Sequence, residues 1–412
     1  MVVHAASNVV FVAPYALDAT TRFLGAVTEV PGTRVGLVSS DPVERFPSAV
    51  RLAVAGHWRT DDCLDADQLT AAVAALGGHL GSVDRLTAIL ENLQVPLGEV
   101  RDRLGIAGLS AATAENFRDK ARMKAVFEQA GVPCATSGRA ESAEQAADFA
   151  RRVGFPFVAK PLAGAGARNT FRIEDSEQLQ RWLTAAPPSP PAPMLLEEFV
   201  RGEEHSFDSV VVDDRLVWHS ISRYLPSPLD VLEHPWIQWC VLLPREIDGE
   251  EYADLVETAH RAVTALGLRT GLSHMEWFRR ADGSLAISEV GARPPGAQFM
   301  TLMSFAHDVD MYAAWARLTV TDEFEPPPRR YAVGAAYLRA QGQGRSIVAA
   351  HGLDQISEAT TASVVEVRLP RAGASPSGGY EGDGHVIVRD KSTAAVEAAL
   401  EELITTIRLE CG

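Results

Sequence analysis

Cysteine is scarce in this 412-residue chain, and its four copies, Cys63, Cys134, Cys240 and Cys411, stand far apart. No CxxC pair or Cys/His spacing joins them, which excludes a zinc ribbon or a disulfide framework and reads as reduced thiols in a cytoplasmic protein. Long apolar runs are missing as well: nothing approaches the ~18 consecutive apolar residues of a membrane span. The amino terminus has one short apolar run with no basic segment before it, so it does not read as a signal peptide. Positive charge is in deficit, with 38 Lys+Arg against 54 Asp+Glu and a net charge of −16. The acids are spread along the chain, which argues against generic binding to nucleic acid or to an anionic membrane. Three chemical signatures are absent too: no GxGxxG follows the first strand, and neither GxxxxGK[ST] nor GxSxG occurs.

The length calls for two or three domains, and 46% hydrophobic with 22% charged residues is the composition of a soluble globular protein. Apolar runs at residues 8–13 and 33–39, with a third at 49–55, read as strands. Residues 20–27, 67–80 and 84–93 read as helices, the last from the spacing of Leu86, Ile89, Leu90 and Leu93. Strands alternating with helices predict a small parallel α/β domain ending near Ser110. From Thr113 one long helix is expected up to Gly131, with Lys120 and Lys124 one turn apart on a shared face. FPFVAK at 155–160 reads as a strand ending in a lysine and leads into the small-residue loop from Ala163 to Arg168, whose backbone N–H groups can cradle an anion.

The sequence is organised around residues 274–296, HMEWFRRADGSLAISEVGARPPG. Two strand-like runs flank Asp282-Gly283, a dipeptide favoured in two-residue hairpin turns. Counting outward from it sets Glu276 directly opposite Glu289. Directly opposed Cβ atoms lie ~4.5–5.5 Å apart and like charges so placed repel, so a hard divalent cation is the natural partner. Arg293 and the stiff Pro294-Pro295-Gly296 follow. Two carboxylates, a cation and an arginine suit phosphoryl chemistry on a nucleotide.

Over roughly residues 104–318 the order of these parts resembles the ATP-grasp superfamily, and within it the carboxylate–amine ligases such as L-amino-acid (dipeptide) ligases. The resemblance implies a mixed α/β (α+β) fold. Its parts are an N-terminal parallel α/β pre-ATP-grasp domain (1–111), an ATP-grasp lobe with the glycine loop (112–195), a second lobe with the metal hairpin (196–325) and a small C-terminal α+β part (326–412). It assigns ATP phosphates to Lys120, with Lys124 as the alternative, and to Lys160, and a lid over them to Gly164, Ala165, Gly166 and Ala167. The adenine edge falls to Glu197 and the backbone of Phe199 and Val200, and the ribose to Glu204. One or two Mg²⁺ ions, replaceable by Mn²⁺, go to Glu276 and Glu289, and Arg293 acts with Lys160 in catalysis. Arg223, His234, Trp236, His274 and Arg293 are candidate contacts to the substrates.

One position departs from the family, which usually carries Asn two residues after the second carboxylate; here it is Gly291, opposite His274. The reaction implied is ATP-dependent amide or peptide formation through an acyl phosphate, releasing ADP and phosphate. Its partners are a small carboxylate and a small amine, amino acids foremost, and the resemblance suggests a homodimer. A biotin-carboxylase-like enzyme and a nucleotide-binding protein without turnover are the alternatives.

Overall fold

Four parallel strands open the chain: β1 (Ser7–Val12), β2 (Thr33–Ser39), β3 (Gly56–Arg59) and β4 (Arg85–Thr87), in the order β3-β2-β1-β4. The computed structural model describes residues 7–164, 169–234 and 236–412. Val9, Val10, Phe11 and Val12 are all buried, because helices cover both faces of the sheet and each side of β1 needs apolar side chains. Two readings of this region are corrected. Residues 48–53 form a helix rather than a strand, and residues 84–93 hold β4 and a 3₁₀ turn, Glu91–Leu93. Their leucines follow helical spacing by coincidence, since they fill both sides of a buried strand end. The chain order reverses between β1 and β4, and in open α/β sheets ligands bind at that crevice, beyond the strands' carboxyl ends. Glu91 emerges there.

A second, antiparallel sheet follows, from β5 (Ser137–Ala140), β6 (Phe157–Pro161), β7 (Phe171–Ile173) and β8 (Met194–Glu198), ordered β5-β8-β6-β7. Ahead of it, the expected single helix is two. Ala111–Arg118 ends at Asp119, whose carboxylate accepts from the amides of Ala121 and Arg122 and so starts Lys120–Ala130. The break matters, because it puts Lys120 at the first residue of the new helix, with its amide on the Leu162 carbonyl.

The third sheet has eight antiparallel strands. β9 (Gly202–Val212), β10 (Arg215–Leu225), β11 (Trp239–Leu243), β12 (Gly271–Arg280) and β13 (Leu285–Gly291) are joined by β14 (Ala332–Leu338), β17 (Val364–Arg368) and β18 (Gly384–Asp390). The order is β13-β12-β9-β10-β11-β14-β18-β17, so the sheet runs on without a break into the last eighty-odd residues of the chain. Two short strands, β15 (Ala340–Gln341) and β16 (Ile347–His351), pair separately with β19 (Arg408–Cys411). One face of the large sheet packs Val210, Trp218, Trp239 and Tyr337 against the helices Phe299–His307 and Met311–Thr321, and these against Phe23 of the first domain's helix Asp18–Thr28. The other face sets Phe207, Val211, Met275 and Trp277 against Ala253–Leu266 and Lys120–Ala130. Among the described residues no helix is long and apolar enough to cross a membrane.

Two histidines are locked into these layers uncharged. His205 stacks on Trp277 with ring centroids 4.5 Å apart, and burial brings its pKa down to about 4. His307 is held at Nδ1 by the Pro327 carbonyl, 3.0 Å, and burial followed by the Arg329 charge also brings it to about 4. Both ionise near 6.5 in the unfolded chain. The unfolded state therefore binds protons first, and stability is complete above about pH 6.5 and falls as pH drops toward 4. Each histidine contributes at most about 3 kcal/mol to that loss. Urea midpoints measured from pH 7 to 4 should show it, and His205→Gln should flatten the slope.

Candidate active site

Glu276 lies directly opposite Glu289, though not through the two-residue turn expected. Arg280 donates its amide to Ser284 O at 2.9 Å and Gly283 donates to Arg280 O at 2.9 Å. The loop therefore holds three residues, Ala281 to Gly283, with Gly283 at φ 84°, where glycine is at ease. A three-residue loop shifts the register by one, so that Trp277 faces Ile287. A bulge at Ser288 then shifts it back. The two offsets cancel, and the carboxylates end up opposed.

The bulge turns two carbonyls toward the helix Lys120–Ala130. Lys124 Nζ donates to Ile287 O at 2.9 Å and Ser288 O at 2.7 Å, and lies 2.8 Å from Glu197 Oε1. This seals the free edge of β13. The other Glu197 oxygen pairs with Lys160. Lys120 Nζ spans 3.0 Å to Glu289 Oε2 and 3.0 Å to the Gly164 carbonyl, tying the metal-type hairpin to the start of the glycine loop. The chain has four lysines in all, and three of them meet here. That scarcity was a signal available in the sequence, and it would have raised Lys124 to a site residue.

The electrostatics follow from this crowding. Burial pushes the Glu197 carboxyl up, but Lys124 and Lys160 outweigh it and hold the group at about 2. Burial pulls Lys160 down, and Glu197 and Glu289 reverse the shift to leave it above its ordinary value. Glu276 is raised by burial and then by the Glu289 charge. Glu289 is lowered, since Lys120 and Lys160 overcome its burial. Glu204, one row further along β9, is raised well above normal by burial and the Glu276 charge. Two opposed carboxylates of unequal basicity, with a third beside them, leave an unbalanced negative pocket that fits a hard cation. Among the described residues no cluster of three His, Cys, Asp or Glu side chains forms a complete metal cage. Mg²⁺ needs none, because it binds through one or two carboxylates plus phosphate oxygens and water.

Arg293 reaches Glu91 with its Nε and the Pro294 carbonyl with Nη1, at 2.8 Å. Glu91 is a site residue the sequence reading missed, hidden in the segment taken for a helix. It also explains the space at Gly291, where a Cβ would stand 3.2 Å from Glu91 Oε2. Gly291 does pair with His274, as the hairpin count gave. His274 donates Nδ1–H to Asp208 Oδ1 at 2.8 Å. Burial lowers its pKa, but Asp208 more than compensates and the net shift is upward.

Some candidates are not brought to this cluster. Arg223 pairs across with His205, and so projects from the opposite face of the sheet; it bonds Tyr252 Oη at 3.1 Å and approaches Glu397. This corrects its reading as a pocket residue, since strand alternation sends it the other way from Ser222. His234 caps a short helix through Asp230 O at 2.9 Å and packs edge-on against Trp236, which is 65% exposed. Neither bonds to the cluster. Phe199 donates its amide to Pro156 O at 3.3 Å and its ring lies under the Arg172 guanidinium, 4.1 Å away. Val200 lies just past the end of β8, Gly164 accepts from Lys120 Nζ, and Ala165, Gly166 and Ala167 lie outside the described residues.

Residues 125–307 match the model of the ATP-grasp domain family. That stretch is similar to an ATP-grasp domain. An uncharacterised protein y4rH of Sinorhizobium fredii is 23% identical over 385 residues, covering 90% of this chain and 76% of that one. An L-arginine-specific L-amino acid ligase of Bacillus subtilis is 23% identical over 274 residues, 64% of this chain and 65% of its own length, just under two thirds. The crystal structure of an L-amino acid ligase from Bacillus licheniformis superposes with a TM-score of 0.78 at 19% identity, over 99% of this chain and all of that one. The mixed α/β architecture is thus shared with that structure.

Proposed function

We propose that this ATP-grasp enzyme joins a carboxylate to an amine, with an amino acid as substrate, through an acyl phosphate, and releases ADP and phosphate. The carrying observation is the meeting of Lys120, Lys160, Glu276, Glu289 and Arg293 in one cleft, with Lys120 bridging Glu289 and the glycine loop. In this reading Lys120 and Lys160 bind the ATP phosphates, and the loop from Gly164 to Ala167 closes over them. Glu197 and the backbone of Phe199 and Val200 hold the adenine edge, and Glu204 the ribose. Glu276 and Glu289 hold Mg²⁺, which when bound draws charge off the phosphate oxygens.

A carboxylate resists attack by an amine because its charge and resonance leave the carbon poorly electrophilic. Phosphorylation removes both obstacles. Arg293 is placed to neutralise the equatorial charge of the phosphoryl group in transfer, and the buried lysines act in a site from which closure excludes water. Glu91 and Arg293 present opposite charges side by side, a pairing suited to the ammonium and carboxylate of a zwitterion. An acid labelled with ¹⁸O in its carboxylate tests the chemistry: an acyl phosphate delivers one ¹⁸O into the phosphate released, and unlabelled phosphate would rule it out.

The glycine at 291 makes a separate prediction. Gly291→Asn supplies the residue usual in the family, yet its Cβ meets Glu91 Oε2. The variant should raise KM for the amino acid about tenfold, the worth of one displaced charged contact, with KM for ATP little changed. Steady-state kinetics in each substrate checks this.

A further inference from the structure

The site face of the large sheet carries two polar rows side by side, each crossing four strands. The first is Glu289, Glu276, Ser206 and Ser222, directly opposed in turn from β13 to β10. The second, two residues along each strand, is Gly291, His274, Asp208 and Ser220. Ser206, Asp208 and Ser220 are all at most 1% exposed. The first row belongs to the phosphate chemistry above. The second has no part in it, although burying so many polar groups is costly without a return.

That second row is held by hydrogen bonds at two places, at Ser220 and at Asp208. At its deep end the buried Arg329 donates Nη1 to Ser220 Oγ at 3.1 Å, Nε to Pro244 O at 3.0 Å and Nη2 to Ile221 O at 3.3 Å, and its charge faces Asp208. Asp208 is steadied at its second oxygen by Ser206 Oγ, 3.4 Å, and takes Nδ1–H of His274 on the first. Among the described residues Nε2 of His274 has no partner. The next position in the row is Gly291, which offers no side chain. An imidazole held at Nδ1 by a buried carboxylate, with Nε2 open toward a reacting centre, is the arrangement that makes a histidine a base.

Resting on the ligase reading, we propose that His274 takes the proton from the attacking amine, and that Asp208, backed by Arg329, is the positioning residue that fixes its ring. Acidic charge outnumbers basic charge around that ring, which suits an amine: Asp208 behind it, Glu276 beside it and Glu91 across Gly291, against Arg293 and the Arg329 that backs Asp208. In the step, the amine nitrogen forms the C–N bond to the acyl carbon and the C–O bond to phosphate breaks. Phosphate leaves with that electron pair, and the nitrogen's proton passes to His274 Nε2.

The expected signature is uncoupling. Without the base the acyl phosphate still forms, and more of it is lost to water. ADP and condensed product are quantified together with a pool of the proteinogenic L-amino acids as probe, for the native chain, Asp208→Asn, His274→Gln and the double variant. Both single variants should lower condensed product about a hundredfold or more, in the range of general-base effects. ADP should fall much less, so that the ADP-to-product ratio rises several-fold while KM for ATP stays within about threefold. The double variant should be no worse than His274→Gln alone, because Asp208 acts only through the ring. Parallel loss of ADP and product, or additive losses, would overturn the assignment.

Absence of amino-acid-dependent ADP in the native chain would instead count against the ligase reading. A readout without turnover separates the two. In ¹⁵N-histidine spectra of the native protein with MgADP, the Nε2 resonance of His274, identified by its loss in His274→Gln, should shift when the pool is added. A resonance that does not move overturns the inference whatever the activity.

Discussion

Alanine at Glu289 is expected to cost at least a thousandfold in ADP release while leaving the protein folded. The reason lies in what each state needs from the residue. In the proposed reaction Glu289 and Glu276 would hold the cation, and losing such an electrostatic element costs roughly 4 kcal/mol of transition-state stabilisation. In the free protein the same residue faces a like charge across the strand pair and is compensated by Lys120 at 3.0 Å and by the Lys160 charge. Its removal relieves Glu276, whose carboxyl is raised partly by the Glu289 charge. That relief offsets part of what the loss of the Lys120 pair costs, so the melting temperature should fall by only a few degrees. A thermal melt beside an ADP assay checks both halves, and activity within tenfold of native would remove Glu289 from the machinery.

Glu197→Ala is expected to do the reverse and strike the fold first. Glu197 is 5% exposed and is the shared counter-charge of Lys124 and Lys160. Removing it leaves two buried ammonium groups without their shared counter-charge, and breaking a buried pair in this way costs about 3–5 kcal/mol. Urea denaturation should show a loss of that size. Lys124→Met should cost less, since Glu197 keeps Lys160, and Lys120→Met less again, because Glu289 retains partial contact with solvent. The ranking separates two lysines one turn apart: Lys124 is a clamp between β8 and the hairpin, and Lys120 joins Glu289 to the glycine loop. Equal stability losses for the two would contradict it.

What the sequence revealed, and what it hid, divides along physical lines. The opposed glutamates were legible because strand pairing has period two and a hairpin has a centre. The count succeeded even though the loop has three residues, because the Ser288 bulge compensated, and no local signal marks a bulge. The lysine that ends β6 and the helix carrying Lys120 and Lys124 were legible from strand and helix spacing. Glu91 was not, since a short strand followed by a 3₁₀ turn can mimic helical spacing when both its sides are buried. Arg223 was misplaced because composition names a pocket residue without saying to which face of a strand it belongs. Asp208 was overlooked altogether: an acid inside a strand looks like any surface acid until its neighbours on both sides are known.

Analysis of the nucleotide products tests the central claim most directly. Purified protein is incubated with ATP, Mg²⁺ and pooled L-amino acids, with bicarbonate and free biotin in a parallel arm. The account predicts ADP and phosphate that depend on the amino acids, together with new masses equal to two substrates less one water. AMP and pyrophosphate would contradict the acyl-phosphate chemistry, and ADP that depends on bicarbonate and biotin would contradict the ligase in favour of a carboxylase.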